Sequence, residues 1–101
     1  PNGARILSGE LVHDALGSST TLSVGHAAYT SSADATVALD VDEFKAAAAS
    51  TSITTVAVAA TSALGKNTVV DANKDGMPVT VVLAGAAATG TIELTMLYVV
   101  D

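Results

Sequence analysis

The sequence contains no cysteine, which excludes disulfide bonds, thiolate metal sites and a cysteine nucleophile. Aromatic residues are almost as scarce, since Tyr29, Phe44 and Tyr98 are the whole set. The core must therefore be built from Val, Leu, Ile and closely packed Ala. Apolar runs are too short to span a bilayer, and no signal-peptide pattern is visible.

The sequence also contains few positively charged residues. The formal net charge is −6, and the four cations are spread along the chain without forming a cluster: Arg5, Lys45, Lys66 and Lys74. A nucleic-acid surface needs a basic patch that displaces counterions, and none can be assembled from these residues. The same reasoning disfavours an anionic membrane surface. We therefore expect neither nucleic acid nor membrane as a partner.

The chain does contain many short stretches with a two-residue alternation of apolar and polar side chains. Its 101 residues suffice for one domain, which we place over residues 1–101. Turn signals separate the stretches at short intervals, a spacing typical of an antiparallel β-sandwich or barrel. The predicted strands cover residues 5–13, with a bulge near Ser8 and Gly9, and residues 20–24, 36–39, 53–59, 68–70, 79–83 and 92–100. Residues 27–35 are small and polar and are interpreted as a surface loop.

One segment predicts a helix instead. Asp40 followed by Glu43 resembles an N-cap with its third-position carboxylate, and residues 44–49 are Phe, Lys and four Ala. We expect a short α-helix of about ten residues there, anchored by Phe44. Capping and a solvated helix start then account for the acidic residues of this region: Asp34, Asp40, Asp42 and Glu43.

The segment from Asp71 to Gly76 carries the sharpest motif, because it matches the first six positions of an EF-hand calcium loop, D-x-N-x-D-G. Asp71, Asn73 and Asp75 would be the ligands. The match then fails, since Val82 stands where a bidentate Glu is expected. We interpret the segment as an exposed turn without tightly bound metal, and calcium stays open as the alternative.

His13 and His26, with serines nearby, raise the question of a catalytic triad. A triad needs a positioned nucleophile, a base and an orienting carboxylate, and the sequence has no nucleophile-elbow motif. We interpret both as surface or strand-end histidines. No catalytic residue, no cofactor and no further metal ligand is assigned, so the sequence predicts a structural or binding module rather than an enzyme.

Three stretches carry a resemblance to a known group of proteins: residues 3–25, from Gly-Ala-Arg-Ile-Leu-Ser-Gly-Glu onward, residues 44–51, and residues 88–100. They resemble small virion proteins of tailed bacteriophages, especially those of cyanobacteria and other marine bacteria. Such proteins are capsid decoration or cement proteins. Members of the group have a segment ahead of the Pro-x-Gly-Ala-Arg stretch, so we expect residues before Pro1 to be missing from this chain.

The resemblance implies a jelly-roll-like β-sandwich that binds the major capsid protein on the outer surface of the virion, as a homodimer or homotrimer. The competing interpretation is a secreted or cell-surface adhesion or carbohydrate-binding β-sandwich. The lack of Trp and the few Tyr weaken it, because sugar rings usually stack on aromatic faces.

The end of the last predicted strand is apolar on both faces. Residues 92–95 alternate, but residues 96–100 are Met, Leu, Tyr, Val and Val. A strand that is apolar on both faces must be covered on both. We expect Met96 and Tyr98 to reach the core, and we predict that Leu97 and Val99 are covered by another subunit, by the capsid shell or by a missing N-terminal segment. The alternative is that the short helix covers them.

Overall fold

The computed structural model describes residues 2–100 and is built almost entirely from antiparallel strands. The strands are β1 Ala4–His13, β2 Thr21–His26, β3 Tyr29–Thr30, β4 Thr36–Val37, β5 Asp40–Ala49, β6 Thr54–Val58, β7 Val79–Ala84 and β8 Ile92–Val100. A single 3-10 turn, Ser62–Leu64, is the helical element of the described residues. None of their helices is long and apolar enough to cross a membrane.

Two three-stranded sheets form the two layers. The first sheet has the order β6-β1-β8, the second β5-β2-β7, and β3 and β4 form a small separate hairpin. β1 and β2 are the central strands, and side chains from both fill the space between the layers. The predicted class, a mainly-β antiparallel sandwich, is thus confirmed.

The core between the layers is aliphatic apart from one ring. Phe44 is the largest fully buried side chain, and the aliphatic residues around it come from both sheets and from the loop between β6 and β7. Gly65 lies against the Phe44 ring so closely that a Cβ at Gly65 would be 2.8 Å from Cδ1 of the ring. The scarcity of aromatic residues therefore leaves Phe44 as the one fully buried aromatic residue of the core.

The predicted helix is wrong, because Asp40–Ala49 is strand β5. It pairs with β2 from Thr21↔Ala49 to His26↔Asp40. Two bulges interrupt the register: β5 has one extra residue between the Leu22↔Ala48 and Val24↔Lys45 pairs, and three extra residues between the Val24↔Lys45 and His26↔Asp40 pairs. Asp40 and Glu43 therefore lie in the irregular part of a strand and do not cap a helix.

The remaining strand predictions agree closely with the structure. In β1, Ile6 pairs with Tyr98 and Ser8 with Leu97, which places the bulge at residue 7, next to the predicted position. Residues 68–70 form an antiparallel bridge between Val69 and Arg5. They lie beside the first half of β1, whereas β6 pairs with its second half. The predicted surface loop at residues 27–35 is irregular as expected, except at Tyr29–Thr30, which forms the short strand β3 and pairs with β4.

Candidate functional site

β8 lies at the edge of the first sheet and carries the largest share of the exposed apolar surface. It pairs with β1 alone, and no backbone hydrogen bond that the structure gives to residues 2–100 occupies its other edge. Four of the exposed large apolar side chains belong to it: Ile92, Leu97, Tyr98 and Val100. An exposed apolar edge of this kind is a common site of protein association.

The two faces of β8 differ in their surroundings. Leu94 and Met96 pack against the core, whereas Tyr98 is 47% and Val100 59% exposed although they share that face. We expected both Met96 and Tyr98 to reach the core. The structure confirms this for Met96, but Tyr98 is largely exposed. Tyr98 instead lines a crevice at this end of the sandwich.

An apolar crevice of about 140 Å³ fills the gap between the two layers at this end. Its walls come from β1, β7, β8 and the loop before β7: Ala4, Ile6, Val70, Met77, Val79, Met96 and Tyr98. The crevice is much smaller than a drug-sized ligand pocket, which is usually 300 Å³ or more. The crevice is therefore too small to enclose such a ligand, but its apolar walls enlarge the exposed apolar surface next to β8.

On the opposite, outer face of the first sheet, the predicted interface residues lie side by side. Leu97 is 56% exposed and Val99 is half-buried. Val99 pairs with Arg5, and Arg5 pairs in turn with Val69, which is 56% exposed. We call Val69, Leu97 and Val99 the outer apolar strip. The helix proposed as their intramolecular cover does not exist, so that alternative is removed, and their contact with another molecule stays a prediction.

Val69 was not recognised as part of this strip from the sequence. The signal was present in the β-branched run Thr68, Val69 and Val70, but nothing in the sequence indicated that this run continues the first sheet next to Arg5.

The second candidate is a polar pocket of about 230 Å³ beside the Asp71 to Gly76 loop. It is lined by Ala28, Tyr29, Thr30, Asn73, Asp75, Gly76 and Pro78. The Asn73 N–H donates to the Thr30 carbonyl at 2.8 Å, which attaches the loop to β3. The Tyr29 ring is held edge-on against His26, with ring centroids 5.3 Å apart. The pocket thus combines an oriented aromatic ring with an amide and a carboxylate.

Two of the three weak calcium candidates, Asp71 and Asn73, have side-chain oxygens that accept hydrogen bonds within the protein. Asp71 accepts hydrogen bonds from the Ser32 hydroxyl and backbone N–H, and the Asp75 N–H donates to Asn73 Oδ1 at 3.0 Å. The Gly76 N–H donates to the Asn73 carbonyl and closes a turn. Within residues 2–100, no group of three or more His, Asp or Glu side chains is arranged to hold a metal ion.

His13 and His26 end strands of different sheets, and both are buried. His13 Nδ1 donates to the carbonyl of Asp14 at 2.7 Å, and His26 Nδ1 donates to that of Ala27 at 2.9 Å. Each ring therefore lies at a strand end, as the sequence indicated, but both are buried, so the surface position that the sequence also allowed is excluded.

The start of β5 concentrates charge that the sequence analysis assigned to a helix cap. A side-chain hydrogen bond with Asp42 lowers the pKa of Asp40, and the same contact raises the pKa of Asp42. Burial raises the pKa of Glu43, and its hydrogen bond with Asp40 adds to the effect. Asp34 lies apart from them, in the turn between β3 and β4.

Lys45 is a buried cation that the sequence did not reveal. It is 8% exposed, and its Nζ donates to the carbonyls of Leu22 and Ala46, each at 3.1 Å. Burial lowers the pKa of its ammonium group. The amine is held by backbone acceptors, and Lys45 lines neither the crevice nor the polar pocket.

Comparison of the chain with protein-family models, with curated proteins and with solved structures found no match.

Proposed function

We propose that this chain is a structural protein of a tailed-bacteriophage virion, which binds the major capsid protein on the outside of the shell and stabilises it. The observation that carries the proposal is the outer apolar strip beside the open edge of β8. A monomeric protein gains nothing by leaving such side chains in water, because burying one fully is worth roughly 1.5–3 kcal/mol. The resemblance of residues 3–25, 44–51 and 88–100 to phage decoration proteins supports the identity of the partner.

The architecture supports a structural role for a second reason. A cement protein needs a rigid fold with adhesive surfaces and no catalytic site. The antiparallel sandwich provides rigidity, and its exposed Thr, Ser and Ala side chains let neighbouring proteins approach closely. This proposal makes the chain a non-enzyme that is located on the virion.

The test is the double variant Leu97→Thr with Val99→Thr, which keeps strand propensity and removes apolar surface. Its binding to shells assembled from the major capsid protein of the same phage is measured by co-sedimentation. We expect a loss of affinity of at least tenfold, equivalent to about 1.4 kcal/mol. The control is Ile53→Thr, an exposed apolar side chain outside β8, which should bind like the parent.

Equal binding by the double variant and the parent would remove the strip from the interface. The competing function, carbohydrate binding, would involve the polar pocket and is tested separately. If shells are not bound at all, and a glycan array gives a signal that Tyr29→Ala abolishes, the chain is a carbohydrate-binding module and the virion proposal is wrong.

A further inference from the structure

The two sheets have four edge strands, β5, β6, β7 and β8, and these differ in how well they are protected against pairing with another strand. β5 is interrupted by bulges and contains Asp40, Asp42, Glu43 and Lys45, whereas β6 has only five residues. Bulges, charges and short length are the usual protections of an edge strand. β7 has six residues, and β8 has nine, of which Glu93 alone is charged. β8 is therefore the least protected edge among the described strands, since β5, which is one residue longer, carries the bulges and four charged side chains.

The sequence of β8 is complementary to itself when two copies run antiparallel about a two-fold axis at Met96. On the core side, Leu94 then faces Tyr98 of the second copy, and Ile92 faces Val100. These pairs would cover the three most exposed core-side residues of the strand, namely Ile92, Tyr98 and Val100. Cross-strand apolar pairs of this kind stabilise antiparallel sheets.

The outer face adds a charge match in the same register. Glu93 faces Val99 of the second copy, and Val99 pairs within its own chain with Arg5. Glu93 and Arg5 of the second copy therefore lie in one row across three strands, about 10 Å apart at Cα, since neighbouring strands are about 4.8 Å apart. Both side chains are long enough to meet above Val99. Arg5 also contacts Asn67 of its own chain, and the five N–H donors of a guanidinium can serve several acceptors at once.

Within one chain these two charges are far apart. Arg5 pairs with Val99, and Glu93 pairs with Val12. Six residues of β8 separate the two positions, which corresponds to about 20 Å.

We infer that two copies of this chain associate through their β8 strands, in antiparallel register about Met96, and join their first sheets into one continuous six-stranded sheet. The six strands are the three of each copy's first sheet. The association needs no capsid protein, so it goes beyond the proposed function. The outer apolar strips of the two copies then lie on one shared face.

The first experiment measures the oligomeric state of the purified chain by sedimentation velocity over a range of concentrations. We expect a dimer. Glu93→Lys should weaken it about tenfold, because two-fold symmetry sets each introduced Lys against an Arg5 and so applies the repulsion twice. Combining Glu93→Lys with Arg5→Glu should restore the parent's dissociation constant to within a few-fold.

The second experiment determines the register and uses the absence of cysteine in the parent. Met96→Cys places two thiols on the axis, and mild oxidation should give a disulfide-linked dimer. Leu97→Cys is the matched control, because its two Cα atoms would be about 8 Å apart in this register, which is too far for a disulfide. Circular dichroism of each variant confirms that it is folded.

A monomeric parent at high concentration would overturn the inference, as would a Glu93→Lys dimer that the Arg5→Glu change does not rescue. Faster cross-linking through Leu97→Cys than through Met96→Cys would also overturn it. Failure here and failure of the proposed function are distinguishable, because a monomer that binds shells contradicts only the dimer, and a dimer that binds no shell contradicts only the virion role.

Discussion

Glu43 and Lys45 are neighbours of the buried Phe44 in β5, and burial acts on both of them in the direction that favours the uncharged form. The pKa of Glu43 is raised and the pKa of Lys45 is lowered. Lys45 compensates part of the cost through two backbone carbonyls. Glu43 instead hydrogen-bonds to another acid, Asp40, so its ionised form is opposed by a like charge.

Glu43→Gln should therefore raise stability near neutral pH. A carboxyl whose folded-state pKa lies above its unfolded value binds more protons in the folded state, so its contribution falls as pH rises from about 4.5 through the raised pKa. Gln lacks that titration and still hydrogen-bonds to Asp40. We expect a gain of about 0.5 kcal/mol at pH 7, because solvent screens this partly exposed group, and no gain at pH 4.

Urea unfolding of parent and variant at pH 4, 5.5 and 7 measures this difference. Glu10→Gln is the matched control, since Glu10 is an exposed carboxylate on regular strand β1. A Glu43→Gln gain that is the same at all three pH values would show that charge is not its cause.

At the scale of elements, β5 shows why the helix prediction failed. The prediction relied on the intrinsic propensity of Ala46 to Ala49 and on a possible cap at Asp40. Propensity is a weak determinant in a segment of only ten residues. β2 has a free edge next to it, and pairing with Thr21 to His26 supplies ladder hydrogen bonds and buries Phe44. Tertiary pairing therefore outweighs the local preference of alanine for helix.

Gly25 is the residue that permits this pairing. A Cβ at this position would collide with the backbone of β5, at the Asp40 carbonyl oxygen and at Val41. Backbone atoms cannot rotate away as a side-chain end can. Gly25→Ala should consequently cost roughly 3 kcal/mol, at the upper end of what overpacking usually costs.

Gly76→Ala is the control for Gly25→Ala. Gly76 has φ +77° but nothing within 4 Å of the added Cβ, so its cost is limited to backbone strain of about 1–2 kcal/mol. Chemical denaturation of the two variants compares them directly. Equal losses, or a smaller loss for Gly25→Ala, would contradict the close approach of β2 and β5.

Much of the remaining fold could be predicted from local pattern. The strands with clear two-residue alternation, β1, β2, β6, β7 and β8, lie where the sequence placed them, and the β1 bulge is within two residues of its predicted position. Alternation reports one covered face and needs no knowledge of the partner strand. The pairing order of the strands depends on contacts distant in sequence and could not be derived.

The candidate sites could likewise be predicted from the sequence only where the signal is local. Leu97 and Val99 were identifiable because a strand that is apolar on both faces is unusual in its own right. Val69 joins them only through the Arg5 bridge, and Tyr29 joins Asn73 and Asp75 only because the loop before β7 is attached to β3. No local signal marks either association.

At the scale of the whole molecule, the sandwich depends on one aromatic side chain to fill its centre. Domains of this size are stable by about 5–15 kcal/mol, and removing a buried Phe typically costs 3–5 kcal/mol. Phe44→Ala should thus remove a large part of the stability. The resulting cavity cannot collapse easily, because the backbone at Gly65 already lies against the ring and both sheets hold the other walls.

Phe44→Met separates cavity formation from the loss of the aromatic ring. Methionine is flexible and nearly fills the same space, so we expect a cost of about 1–2 kcal/mol. Urea midpoints of parent, Phe44→Met and Phe44→Ala should fall in that order. If Phe44→Ala unfolds at the same midpoint as Phe44→Met, the centre of the sandwich is filled by residues other than Phe44. The two sheets would then be held together chiefly by the aliphatic contacts of β1 and β2, and a single ring would not be needed to join the layers.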